Sequence, residues 1–299
     1  MASLREIRRK IKAVGAQQRI FKAMKMIAAA RMRRSQAAIL SARPFASRME
    51  DLVRHLALLE TAADIAAGRE VRIHPFFDIR KSGNVGLLLV TADKGLCGSF
   101  NAGLLRAAFE WLRVNQDKKR HIVMVGRKGR DFMRRLKGQN LEVISELAGI
   151  FPKVTFTHAE LVGKALLDAY KDRELESVTM LYNEFKSVAV QKVVASPLLP
   201  IPPFEGSLSR SEAEEYGFEP DRQELLGGLL PRYIKARIYR ILLESQAAEL
   251  AARMNAMDAA AKNAKELRDA MNLNLNRSRQ AIITREIAEL VGGAEALAA

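Results

Sequence analysis

Apolar residues recur at helical spacing at both ends of this chain, each time over some fifty to sixty residues. At the N-terminal end Leu4, Ile7, Ile11 and Val14 stand 3, 4 and 3 apart, and the stripe continues through Gln18 and Phe21 to Met24 and Ala28. Proline is absent before Pro44, and Gly15 is the only glycine in the first fifty-seven residues. Residues 3–57 therefore read as one helix, with Ser3 and Glu6 as a capping box. At about 1.5 Å per residue it would be roughly 60–80 Å long, more than a compact domain needs. At the other end Ile234, Ile238, Ile241, Ser245, Ala248 and Ala252 repeat at 4, 3, 4, 3 and 4. Pro231 suits the first turn of that helix. Ile283, Ile287 and Leu290 resume the stripe, and Gly292–Gly293 is expected to stop it. Two stripes of period near 3.5, each needing a partner, predict a coiled coil formed within the chain.

Between these helices the pattern changes. "VGLLLV" (85–90) and "HIVMVG" (121–126) read as buried strands, with "LEVISEL" (141–147) a weaker one. "SVTMLYNEF" (177–185) and "KSVAVQKVVAS" (186–196) are rich in β-formers. Helical segments at 100–115, 127–137 and 158–173 alternate with the first three strands. Such alternation predicts an α/β domain with a mainly parallel sheet. Residues 197–222, rich in Pro, Gly and acidic side chains, read as a linker or exposed loop. The expected organisation is an N-terminal helix over 1–57, an inserted Rossmann-like α/β domain over 75–200 and a C-terminal helix over 223–295.

Composition narrows the function. A single cysteine excludes an internal disulfide and a cysteine-based zinc site. The four histidines are too scattered for a local metal motif, and no apolar run reaches the roughly 18 residues needed to span a bilayer. Of the formal net charge of +15, most lies in residues 1–54, which hold 14 Lys/Arg against 3 Asp/Glu. Such a stripe attracts an acidic partner, whether nucleic acid, membrane surface or protein.

Candidate chemistry concentrates in "TADKGLCGSFNAG" (91–103), a glycine-rich strand-to-helix loop. It lacks both the G-x-x-x-x-G-K-[ST] and the G-x-G-x-x-G pattern for phosphates. Cys97 as a nucleophile needs a base, and the nearest histidine in sequence, His121, starts a buried strand. A tight turn in which Cys97 packs is the alternative, with Asp93 and Lys94 as a local pair. "VGRKGRDF" (125–132) could present amides to an anion, or merely begin a helix. "MKMIAAARMRR" (24–34) fits core packing and partner contact equally. Nothing forms a catalytic constellation, and a basic coiled-coil nucleic-acid-binding protein stands as the rival reading.

Four blocks go further. "FKAMKMIAAARMRRSQ", "TADKGLCGSFNAG", "LLESQAAELAARMNAMDAAAKNAKEL" and "LNRSRQAIITREIAELVGGAEAL" resemble, in order, the gamma subunit of F-type ATP synthases. The resemblance implies a non-catalytic central-stalk rotor, its terminal helices paired as an antiparallel coiled coil. It implies partners too: alpha and beta subunits of the catalytic head, a small epsilon subunit and a membrane c-ring. Proton flow would turn the rotor and drive the beta sites through states of different affinity. No cofactor would bind this chain, and its place would be the cytoplasmic face of a bacterial membrane, held there through the complex. Matching positions make Met24, Lys25, Arg253, Arg279, Gln280, Thr284 and Glu286 coupling candidates, and make Asp93, Lys94 and Cys97 a contact surface. "VGAQQRIF" departs from the family's pattern before the Met segment. The paired-cysteine insertion of the chloroplast type is absent, so thiol control of that kind is not expected.

Overall fold

The computed structural model describes residues 4–68, 73–136, 140–151, 153–204, 219 and 221–298. The chain divides into two compact units, Met1–Ala28 with Arg253–Ala299 and Ala29–Ala252. Two long helices run through both: α1 over Leu4–Ala66 and, last in the chain, α5 over Arg222–Ala298.

In the first unit the stripes meet as heptad repeats predict. On α1 the less exposed positions include the series 4, 7, 11, 14, 18, 21, 24 and 28, and on α5 the series 254, 257, 261, 264, 268, 271, 275 and 278, each stepping by 3 or 4. The helices are antiparallel. Lys25 Nζ bonds Asp258 Oδ1, and a Cβ on Gly15 would lie 3.9 Å from Arg268 Cδ, so ten residues down one helix match ten up the other. Ala261 and Ala264 are buried in this seam, where small side chains let the backbones approach.

The second unit is built on a five-stranded sheet of order β3-β2-β1-β4-β5. Its strands are β1 (Asn84–Val90), β2 (Lys119–Val125), β3 (Leu141–Leu147), β4 (Ser177–Phe185) and β5 (Gln191–Leu199). β1, β2, β3 and β4 are mutually parallel and β5 is antiparallel to β4. Side chains alternate between two cores, as the period of 2 requires. Leu88, Val90, Val123 and Val125 join α4 (Phe156–Asp172) and the buried face of α5. Leu87, Leu89, Ile122 and Met124 join α2 (Phe100–Val114) and Met133 of α3 (Arg127–Met133). Residues 241–250 of α5 are buried on every side, as expected of a helix wrapped by other elements.

Several boundaries differ from the sequence expectation. α1 runs nine residues past Ala57, and Leu59 packs inward there. Pro44 lies inside it on an exposed turn, where its missing N–H removes one ladder bond without ending the helix. α5 begins at Arg222 rather than near Pro231, because Asp221 Oδ1 accepts from the amides of Gln223 and Glu224 at 2.8 and 3.0 Å. Nor does Gly292–Gly293 stop α5. Residues 186–190 are the β4–β5 turn, closed by reciprocal backbone bonds of Ser187 and Val190, so β5 lies later than expected. It includes Pro197, tolerated on an edge strand beside a register shift. Of the expected linker 197–222, its first three residues are therefore strand, while 205–218 and 220, with most of the acidic stretch, lie outside the described residues. So does Ser3 of the expected capping box.

Candidate functional site

The loop after β1 is held by its own side chains. Thr91 Oγ1 donates to the Val125 carbonyl at 3.0 Å and accepts from the Gly129 amide at 2.8 Å. Asn101 Oδ1 accepts from the Ala92 amide at 3.0 Å, and its Nδ2 lies 3.2 Å from Cys97 Sγ. Asp93, buried, is the hub. Its Oδ1 accepts from the amides of Arg127 (3.2 Å) and Gly149 (2.8 Å), and its Oδ2 from that of Phe151 (3.2 Å). One carboxylate thus ties the loops after β1, β2 and β3 together at the carboxyl ends of the parallel strands. In open α/β sheets that is where ligands commonly bind, and here an internal anion occupies the amides. The glycines do steric work: a Cβ on Gly126 (φ +92°) would stand 2.1 Å from the Thr91 carbonyl oxygen.

This geometry reassigns two residues. Asp93 and Cys97 were expected at a contact surface, and both are buried, Cys97 at 2% exposure. Asp93 points inward because three amides need an acceptor, and Cys97 packs in the α2-side core. Lys94 is exposed. Beside it Leu96 is 60% exposed with φ +64°, a solvent-facing apolar side chain in the left-handed region that sequence reasoning missed. The anion reading of 125–132 also lapses, since the Arg127 amide is already bonded to Asp93. His121 lies at the amino half of β2, with Arg173 and Glu142 each 3.4 Å from its Nδ1. Burial first, then the Arg173 charge, lowers its pKa below the ordinary value.

In the first unit, Met24 and Lys25 are half-buried. Lys25 Nζ pairs with Asp258 Oδ1 at 2.6 Å, and Lys262 Nζ reaches Asp258 Oδ2 at 3.0 Å. Hydrogen bonds from Lys25 and then Lys262 hold the Asp258 carboxyl below its usual range. Sequence reasoning missed Asp258, although Asp258 and Lys262 at i, i+4 are a legible helical pair. Arg253 is half-buried on α5. Arg279, Gln280, Thr284 and Glu286 are all exposed, in a stretch where every residue from 279 to 293 is exposed. The helical register supplies the cause. Eleven residues beyond Gly15 and Arg268 lie Leu4 and Arg279, so α1's described residues end where the exposed stretch of α5 begins. Ile283 (45%), Ile287 (55%) and Leu290 (74%) face solvent there.

Among the described residues no helix is long and apolar enough to cross a membrane, and no group of three or more His, Cys, Asp and Glu could hold a metal ion.

Comparison with known proteins covers nearly the whole chain. Residues 3–297 match the family model described as ATP synthase. An ATP synthase gamma chain of Elusimicrobium minutum is 45% identical over 304 aligned positions, spanning 99% of each chain. One from Desulfitobacterium hafniense is 40% identical, spanning 99% of this chain and all of its own. Among solved structures, a chain of the Tetrahymena thermophila mitochondrial ATP synthase central stalk and c-ring superposes with a TM-score of 0.59 at 26% identity, over 81% of this chain and 99% of its own. A chain of the Euglena gracilis mitochondrial enzyme reaches 0.64 at 16% identity, over 98% and 94%, and shows the same fold.

Proposed function

We infer the roles of individual surfaces from one premise: the chain belongs to the family of ATP synthase gamma chains. It is a central-stalk rotor subunit of an F-type ATP synthase. Family membership decides against the rival nucleic-acid reading, and the basic helix α1 takes its place as half of a helix pair in the stalk.

The chain does its work without catalysing a reaction. Its partners are the alpha and beta subunits of the catalytic head, an epsilon subunit and the membrane c-ring, and proton flow through that ring turns it. It reaches the membrane through these partners, at the cytoplasmic face of a bacterial cell. A rotor without chemistry can change nucleotide affinity only by binding the conformations of its neighbours unequally. Surfaces that meet neighbours therefore carry the function.

The observation that carries this reading is the exposed end of α5, whose apolar side chains face solvent among the described residues. Arg279, Gln280, Thr284 and Glu286 there supply polar contacts that form and break during rotation, and the isoleucines supply the apolar bearing. Met24 and Arg253 are second contacts. Lys25 acts through Asp258, which neutralises it within the chain. On the loop after β1, Lys94 with Leu96 forms the contact that Asp93 and Cys97 hold in place.

Reconstitution with alpha and beta subunits tests this. Gln280→Ala should leave helix content and assembly intact while lowering ATP turnover and ATP-driven proton pumping. Ile283→Asp with Ile287→Asp should weaken assembly. Unchanged turnover and pumping in both variants would refute the assignment of α5's end.

A further inference from the structure

At the amino end of the sheet one guanidinium reaches across two strands. Arg173 caps the C-terminus of α4, and its carbonyl accepts from Asn84 Nδ2, at the start of β1, at 2.8 Å. Its side chain crosses β2, with Nη1 3.4 Å from His121 Nδ1, and donates to Glu142 Oε2 on β3. His121 and Glu142 stand opposite each other in the β2–β3 ladder. β3 is an edge strand, paired with β2 alone, so this contact ties it to α4 and β1. The three side chains differ in their access to water: that of His121 is 7% exposed, that of Arg173 36% and that of Glu142 51%.

A neutral imidazole has one nitrogen that donates and one that accepts. With its proton on Nε2, His121 offers Nδ1 to Arg173, and Glu142 is left to the guanidinium. A second proton, on Nδ1, changes both contacts. Nδ1 then meets Arg173 as donor against donor and cation against cation, and meets Glu142 Oε2, also 3.4 Å away, as a donor. Two cations compete for one carboxylate. A charge out of water needs its counter-ion more than a charge in water does, and His121 is the buried one. Lys119, two residues earlier on β2, adds positive charge, and Gly86, opposite on β1, adds none. Arg173 has solvent to turn into. We propose that His121 is a proton-operated latch: neutral, it leaves Arg173 holding the edge strand to α4, and protonated, it takes Glu142 and releases Arg173, so that β3 loosens at its amino end. Burial and the Arg173 charge hold the His121 pKa below its ordinary value, and the Arg173 hydrogen bond holds that of Glu142 below its own. The latch is therefore closed at pH 7 and above and opens in mild acid, where Glu142 is still ionised. The proposal does not depend on the rotor reading, because none of these residues belongs to the coupling surfaces.

The test is hydrogen–deuterium exchange of the full-length chain at pH 7.5 and 5.0, read on peptides covering β3 and corrected for the intrinsic effect of pH on exchange. Protection of residues 141–147 should fall about tenfold or more at pH 5.0, the scale of one charge-assisted hydrogen bond, and by more than that of the central strand β1. His121→Gln, neutral throughout, should keep β3 equally protected at both pH values. Arg173→Gln, which lacks the tether, should leave β3 loose at both. Nitrogen-15 NMR of the His121 ring reads the proton itself: its midpoint should rise in Arg173→Gln and fall in Glu142→Gln. Three results would overturn the proposal. One is equal β3 protection at the two pH values in the parent. A second is an acid loss of β3 protection that persists in His121→Gln or in Arg173→Gln. The third is a His121 midpoint that neither partner variant moves.

Discussion

Asp93 offers the sharpest separation between holding the fold and meeting a partner. Its carboxylate serves three backbone amides at 2.8–3.2 Å from loops 34 to 58 residues away in sequence. Each bond to a charged acceptor contributes roughly 1.5–3 kcal/mol net. Contributions within one network do not add, so Asp93→Ala should cost about 3–5 kcal/mol, near the upper end for a single substitution. Asp93→Asn keeps one oxygen for Arg127 and Gly149 but turns an NH₂ toward the Phe151 amide, donor against donor. It should cost about 1–3 kcal/mol. Lys94→Ala, next door and exposed, should stay within about 0.5 kcal/mol of the parent. Urea unfolding of the full chain measures all three. Trp111, the only tryptophan, sits on α2 against the same core as Cys97, so its fluorescence reports the right unit. The order Ala, then Asn, then Lys94→Ala is the expected result. An Asp93→Ala midpoint indistinguishable from the parent would refute the clamp and return Asp93 to the contact surface.

Other consequences follow from single positions. Gly126→Ala puts a Cβ 2.1 Å from the Thr91 carbonyl oxygen at φ +92°; the variant should expose Trp111 and lose the cooperative transition of the α/β unit. Lys25→Met removes the largest cause of the lowered Asp258 pKa, and carboxyl-resolved NMR should show that pKa rise toward its ordinary value; an unmoved titration would refute the pair. The folded pKa of His121 lies below the ordinary 6.5. The unfolded chain therefore binds a proton that the folded chain resists. Stability is full above about pH 6.5 and declines as the pH falls toward the folded pKa. His121→Gln should flatten that decline between pH 7.5 and 5, leaving the part due to His74, which burial also lowers.

Legibility followed the range of the cause. β3 and β4 stand at the positions their apolar runs suggested, because a period of 2 is local. Both helical stripes were readable for the same reason. Ends were harder. Pro231 looked like a helix start, but the start is set by one side chain, Asp221, in a segment whose composition suggested a loop. Gly292–Gly293 looked like a stop, yet glycine only lowers helix propensity by about 1 kcal/mol per residue, and α5 continues past both. The apolar Val188 and Val190 drew the β5 expectation into what is a turn. Partners across the fold were invisible. Lys25 and Asp258 are 233 residues apart, and the three amides of Asp93 come from two different loops. Nothing in "TADKGLCGSFNAG" says that its aspartate faces inward.

The exposed end of α5 lies beyond the described residues of α1 in the antiparallel register. The register that sets Lys25 against Asp258 and Gly15 against Arg268 brings Leu4 level with Arg279, while α5 continues to Ala298. A lone helix of some twenty residues is only marginally stable in water, and burying each of its isoleucines would gain about 1.5–3 kcal/mol. Whatever covers this stretch thus does two things at once: it removes apolar surface from water and it keeps the segment helical. Contacts of that kind make binding sensitive to the neighbour's conformation, since a neighbour that loosens its hold loses apolar burial and helix order together. That is the differential contact a rotor subunit needs. On the proposed reading, Arg279, Gln280, Thr284 and Glu286 would act through side chains that the fold of this chain leaves exposed.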